Sequence, residues 1–368
     1  MSFTLDVGRV HCIPGSCRGL KACYDSDIEH GDSCYVESVT ATLKGVSRSR
    51  VSTQNGAQRQ AHESETTFLE MVDQGHFYHG RLLDDLYVAT FDFRFPEDPV
   101  LREHYPMVPP FDDIEPQALP PSGKYGSGNS IEYYFETCLT ATDGTKRMVR
   151  RIKKNIEFTP TREPEAMDMP RSTITNHVDF MDAAGPMGQS QMIFDLEYPT
   201  VVAQREPFDL NLILKSSPSL DVFFHSCTVQ LVENTCASVS DTLRESWMTE
   251  HTIGSEVHIN DFDARPLINA SPKTVLEYLT VPATCAASFA TPNLQRTYSL
   301  RVIVMLQCGG QSQEMLYNTG NVTLLGAELG SKGMERETDE VYNPDMDGPR
   351  EMFEGRLVPS LFVRHWRE

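Results

Sequence analysis

The sequence predicts an all-β fold, and three observations carry that expectation. Apolar and polar residues alternate along residues 87–95, 131–139 and 298–306, the period of a strand with one buried face. Glycine and proline number 23 each, frequent enough to punctuate many short elements. No stretch of ten or more residues carries the apolar stripe of an amphipathic helix. At 368 residues the chain has room for two domains, each with its own core.

Taken in order, residues 1–30 are poorly periodic and read as one strand and a loop. From Cys34 the pattern tightens: Val39, Ala41 and Leu43 form one face, Thr40, Thr42 and Lys44 the other, ending at Gly45. Residues 47–65, rich in Ser, Gln and Arg, read as a long loop or a partly disordered segment. Residues 68–73 suit a short strand or a helical turn. Tyr87, Ala89, Phe91, Phe93 and Phe95 give a strong strand that Pro96 stops. Residues 97–121 carry seven prolines and read as an extended loop.

The first half is organised around residues 119–158. Pro-Pro-Ser-Gly and a Gly/Ser-rich turn lead into a strand in which Ile131, Tyr133, Phe135 and Leu139 alternate with Glu132, Tyr134 and Glu136. Asp143-Gly144 supplies a hairpin turn, because glycine tolerates positive φ. The return strand, 146–158, carries Val149 and Ile156 among six basic residues. Residues 161–190 are polar and Gly/Pro-interrupted, and read as an interdomain linker. Strands resume at 193–196. Phe208, Leu210, Leu212 and Leu214 alternate, as do Cys227, Val229 and Leu231. Residues 236–261 are polar with weak periodicity, 298–306 is the clearest strand of this half, and Val322 and Leu324 mark the last. The expected organisation is a domain at 1–160, a linker at 161–190, a domain at 191–330, and an acidic linker with an apolar tail at 331–368.

The formal net charge of −20 argues against a general nucleic-acid binder, whose affinity rests on neutralising phosphates. Residues 1–160 hold 17 Lys and Arg against 23 Asp and Glu, and the remainder 15 against 29, so the second half is the more acidic. The N-terminus has no basic segment followed by a long apolar one, and no run of about 18 apolar residues occurs. Nine scattered cysteines, an odd number, suit reduced thiols. The expected setting is the cytoplasm.

The main candidate site is the basic run Lys146, Arg147, Arg150, Arg151, Lys153 and Lys154, six cations in nine residues of an acidic chain. Such a run sets up a local positive field able to attract acidic or phosphorylated peptide. It also suits a solvated edge strand, where cations deter edge-to-edge pairing. Alternation puts Lys146, Arg150 and Lys154 on one face and Arg147, Arg151 and Lys153 on the other. Cys12, Cys17, Cys23 and Cys34, near His11 and His30, lack the paired C-x2-C spacing of a zinc site, so no metal is expected. His76 and His79 read as surface residues. No G-x-S-x-G elbow, H-E-x-x-H pair or phosphate-binding loop occurs, so neither an enzyme nor a cofactor is expected. The tail carries Phe353, Leu357, Leu361, Phe362 and Trp366, costly to leave in water. It reads either as permanently docked on a sheet edge or as a releasable cover over a partner surface.

Four segments together resemble the arrestin family over roughly residues 25–325. They are HGDSCYVESVTATLKG, YVATFDFRFPED, LPPSG followed by IEYYFETCL, and SFATPNLQRTYSLRVIVMLQC. The resemblance implies two tandem arrestin-like immunoglobulin-type β-sandwich domains. It also implies a non-enzymatic adaptor that binds cytoplasmic tails of membrane proteins and links them to endocytic or ubiquitin machinery. The attachment would be peripheral, at the plasma membrane or endosomes. Relatives recruit ubiquitin ligases through Pro-Pro-x-Tyr, which is not found here, so recruitment through an intermediary is implied. The polar-core arginine of visual-type arrestins falls near Lys154, where lysine keeps the charge but not the planar fork. The alternative is a constitutive coat-like subunit resembling the arrestin-fold component of retromer.

Overall fold

A computed structural model describes residues 2–6, 11–12, 17–25, 34–55, 58–75, 86–96, 119–126, 128–143, 146–160, 169–181, 189–216, 221–257, 266–268, 271–308 and 310–327. Among them every regular element is a strand, and no helix is long and apolar enough to cross a membrane. Residues 97–118 of the loop expected at 97–121, His76 and His79, and the tail residues Phe353, Leu357, Leu361, Phe362 and Trp366 lie outside the described residues, as do the side chains of Cys12, Cys17, Cys23 and Cys34.

The first half contains β1 (Ser2–Asp6), β2 (His11–Cys12), β3 (Cys17–Asp25), β4 (Cys34–Asn55), β5 (Gln58–Gly75), β6 (Leu86–Arg94), β7 (Gly123–Lys124), β8 (Ser130–Asp143) and β9 (Lys146–Phe158). Strands β1-β3-β6 form one sheet, and β2-β9-β8-β4-β5, with β7 beside β8, form another. The two sheets share one core. Leu20, Ala22, Phe91 and Phe93 come from the first sheet, and Val39, Leu43, Tyr133, Phe135 and Phe158 from the second. Phe95, just after β6, stacks on Phe158 with centroids 5.1 Å apart, and Phe158 lies 5.0 Å from Tyr133.

The second half contains β10 (Arg171–Met181), β11 (Gln189–Pro199), β12 (Val201–Ala203), β13 (Pro207–Leu214), β14 (Val222–Ser240), β15 (Leu243–Val257), β16 (Pro272–Thr280), β17 (Phe289–Ala290), β18 (Leu294–Cys308), β19 (Gln311–Asn318) and β20 (Thr323–Leu325). The sheets are β10-β11-β13-β16, β15-β14-β18-β17 with β19 on β18, and the short parallel pair β12-β20. Their core is built on Phe194, Leu196, Leu210, Leu212, Val229, Leu231, Leu300, Val302 and Val304.

Three stretches differ from the sequence reading. Within the expected loop 47–65, residues 47–55 and 58–65 are parts of β4 and β5, paired from Val39↔Gly75 to Asn55↔Gln58. Cross-strand ion pairs hold them: Arg48 reaches Glu65 and Glu132 at 2.7 Å each, and Arg50 reaches Glu63 at 3.6 Å. Residues 161–190, read as a linker, contain β10, whose Val178 and Phe180 enter the second core. The weakly periodic 236–261 region holds the end of β14 and the whole of β15, paired with each other.

The first core also takes Ala237, Phe289 and Leu294 from the second half. At the bulge beside Gly45 the backbone passes so close to β5 that an added Cβ would lie 2.7 Å from the Phe68 ring.

Candidate functional site

All six cations of the basic run project from β9 and are exposed. Pairing with β8 assigns their faces. Arg150 lies opposite Leu139 and Lys154 opposite Phe135, while Arg151 lies opposite Cys138 and Lys153 opposite Glu136. Lys146, Arg150 and Lys154 therefore share one face, and Arg147, Arg151 and Lys153 the other, as the alternation implies. Arg147 reaches Glu37 at 3.3 Å, and the Lys153 ammonium sits 3.5 Å from the Tyr134 ring centroid. Among the described residues, Lys146, Arg150, Arg151 and Lys154 have no ion-pair partner.

The neighbouring strands do not share this excess of charge. On their solvent face Lys44 meets Glu70 and Glu136 at 3.4 and 3.5 Å, and Arg48 is bracketed by Glu65 and Glu132. Uncompensated positive charge on this sheet is thus concentrated on β9 among the described residues. Among the described residues most of its outer backbone edge is also unpaired. On the side away from β8, the described partner is β2, which pairs only with Glu157 and Phe158. Among the described residues nothing else pairs with that edge, so its main-chain groups form a template for an added strand.

One end of the edge is fastened. The Ser122 N–H donates to the Phe158 carbonyl at 3.0 Å, and the Phe158 N–H donates to Ser122 Oγ at 2.8 Å. Ser122 opens the turn after Pro-Pro, whose Gly126 and Gly128 adopt φ of 69° and 94°.

That turn also enters a second, buried constellation between the halves. β14 and β18 run past their own core, and their inward positions change from Val229 and Leu231 to Glu233 and Thr235, and from Leu300 to Tyr298 and Arg296. Arg296 Nη2 lies 3.0 Å from Glu233 Oε1, its Nε donates to Thr235 Oγ1 at 3.3 Å, and its guanidinium stands 4.6 Å from the Tyr125 ring centroid. Tyr298 donates its one hydroxyl proton to the Ala286 carbonyl at 2.6 Å, and Glu233 Oε2 lies 3.3 Å from that hydroxyl and 3.8 Å from His251 Nε2. Beside it the Asn293 amide nitrogen shares its two protons among the Ser47 carbonyl at 3.2 Å and the Ser64 carbonyl and Ser49 Oγ at 3.3 Å, and its Oδ1 accepts from the Ser47 hydroxyl. Trp247 abuts Gly126, where an added Cβ would meet its ring at 2.9 Å.

No protein-family model matches the chain, and no curated protein matches it.

The sequence reading found the β9 cations because exposed charge at strand spacing is visible in the string. It missed the buried pair. Arg296 and Glu233 are recognisable only as polar residues at inward positions of β18 and β14, and their meeting depends on the Thr235↔Arg296 register. The buried arginine is Arg296, whereas Lys154 is exposed on β9. Among the described residues no three His, Cys, Asp or Glu side chains converge as metal ligands.

Burial raises the Tyr298 and Tyr125 hydroxyls above the ordinary tyrosine range, with Arg296 pulling each partly back. A tyrosine raised on folding contributes stability that is fully present below its unfolded pKa of about 10 and is lost as pH climbs beyond it. The urea midpoint should hold from pH 8 to about 9.5 and fall steeply by about pH 11. The share of tyrosinate absorbance that belongs to the buried tyrosines should appear only together with unfolding; smooth titration of all tyrosines in the folded chain would contradict the burial.

Proposed function

We propose that this chain is a non-enzymatic adaptor of arrestin-like type, built from two tandem immunoglobulin-type sandwiches. In this reading the first half captures an extended acidic segment from the cytoplasmic tail of a membrane protein. The more acidic second half meets endocytic or ubiquitin machinery. The observation that carries it is β9: an open strand edge with four cations lacking ion-pair partners among the described residues, next to a face whose charges are already compensated. Main-chain hydrogen bonds supply affinity in such strand addition, and side chains supply selection. A layered β fold does not fix function by itself, so the proposal rests on this edge and on the segments that resemble arrestins.

Crosslinked affinity purification of the intact chain, beside an Arg150→Glu/Arg151→Glu variant, tests it. Both side chains are exposed, so the fold should persist. The expected result is recovery of membrane proteins with trafficking machinery, lost in the variant. One stoichiometric partner that ignores the charge reversal would replace the adaptor by a coat-like subunit.

A further inference from the structure

A peptide-binding edge on β9 would select its occupant through the side chains of β9 itself, so the occupant's pattern rests on the function proposed above. Along β9 the residues come in blocks: Lys146-Arg147, Met148-Val149, Arg150-Arg151, Ile152, Lys153-Lys154. Each two-residue cationic block places one charge on each face of the sheet. The apolar residues between them do the same. Met148 and Ile152 are half-buried against the first core, on the face of Ala141 and Thr137, while Val149 is exposed on the opposite face beside Thr140.

A strand added to this edge sets each of its side chains beside the β9 residue directly across, on the same face. An unbroken acidic run would place carboxylates against Met148, Val149 and Ile152. A strand with acids only at every second position would answer the cations of one face and leave the other unmet. We propose that the β9 edge selects an extended peptide in which pairs of Asp or Glu residues are separated by one or two apolar residues. Across residues 146–154 the pattern is acid-acid-apolar-apolar-acid-acid-apolar-acid-acid. Its reverse is nearly the same, so it applies to either strand direction.

The spacing also fixes the kind of acid. On the core-side face Lys146, Arg150 and Lys154 stand four residues apart, about 13 Å, with an apolar side chain between each. On this face each opposing position therefore meets one isolated cation, which suits a carboxylate of charge −1; on the other face Arg151 and Lys153 stand two residues apart, but the Lys153 ammonium already lies over the Tyr134 ring. A phosphate group, carrying about −1.5 to −2, calls for clustered cations. The open edge ends where Ser122 and β2 hold Glu157 and Phe158, so the selecting segment is limited to residues 146–155 of β9.

The test uses the full chain and two labelled nonapeptides of identical composition, EEVVEEVEE and EEEEEEVVV, read by fluorescence anisotropy at 150 mM salt. The patterned peptide should bind about tenfold more tightly, because its side chains match on both faces. A Val149→Ser change at the exposed position should shrink that preference and leave the block peptide's affinity alone. Equal binding of the two peptides, both lost in the Arg150→Glu/Arg151→Glu variant, would overturn the pattern while leaving β9 as an acidic-peptide site. Binding of either peptide that ignores the charge reversal, or no binding at all, would remove the β9 site itself.

Discussion

Arg296→Ala should lower the unfolding free energy by about 3–5 kcal/mol, the cost of leaving a buried carboxylate without its cation. Glu233 and Arg296 are 8% and 9% exposed, so water cannot take the arginine's place without opening the junction. The substitution also removes the cation from the Tyr125 ring and the donor to Thr235. Urea denaturation followed by tryptophan emission in a Trp366→Phe background, which leaves Trp247 as the one tryptophan, reads the effect where it arises, since that ring packs on Gly126 at the same junction. Adding Glu233→Gln should restore part of the loss, because a neutral amide tolerates burial without a counter-charge. A midpoint for Arg296→Ala equal to that of the parent would show that the pair contributes nothing net.

Phe158→Ala should cost about 3–5 kcal/mol by the transfer and cavity terms of a large buried aromatic. Phe158 is 1% exposed and stands where β9 ends, stacked on Phe95 with an interplanar angle of 19° and tilted at 43° to Tyr133. The cavity would open between the two sheets of the first half, with both rings losing packing. Phe158→Leu keeps most of the volume and should recover part of the stability. Thermal unfolding of the pair of variants checks the order, and an alanine variant as stable as the leucine variant would contradict it.

Legibility in the string depends on which faces are buried. The strands β6, β8 and β18 were legible because each sets an apolar face against a polar one. Much of β4 and β5 was not, because both faces are polar there. Ser47 and Ser49 are buried against Asn293 while Arg48 and Arg50 project into the ion-pair ladder, so hydrophobic alternation vanishes although the strand period persists. Strand β10 hid for a milder form of the same reason: Ser172 and Asn176 interrupt its inward row, and only Val178 and Phe180 are fully buried. Of the site, the β9 cations were visible and their open edge was not, since an edge is defined by what does not pair with it. The Arg296–Glu233 junction is a fact of register between strands sixty-odd residues apart and leaves no local mark.

The Asn293 side chain bonded to Ser47 joins residues 246 positions apart. On a ribosome adding about 5–20 residues per second, Ser47 therefore emerges roughly 12–50 s before its partner. From the synthesis of Phe158 to that of Leu294 the first half has its strands but not the full set of Ala237, Phe289 and Leu294 that completes its core, and the Tyr125 ring lacks Phe289 against it. Completion of the amino-terminal half is thus a late event in the life of the nascent chain, timed by synthesis of β18 rather than by the collapse of its own sheets.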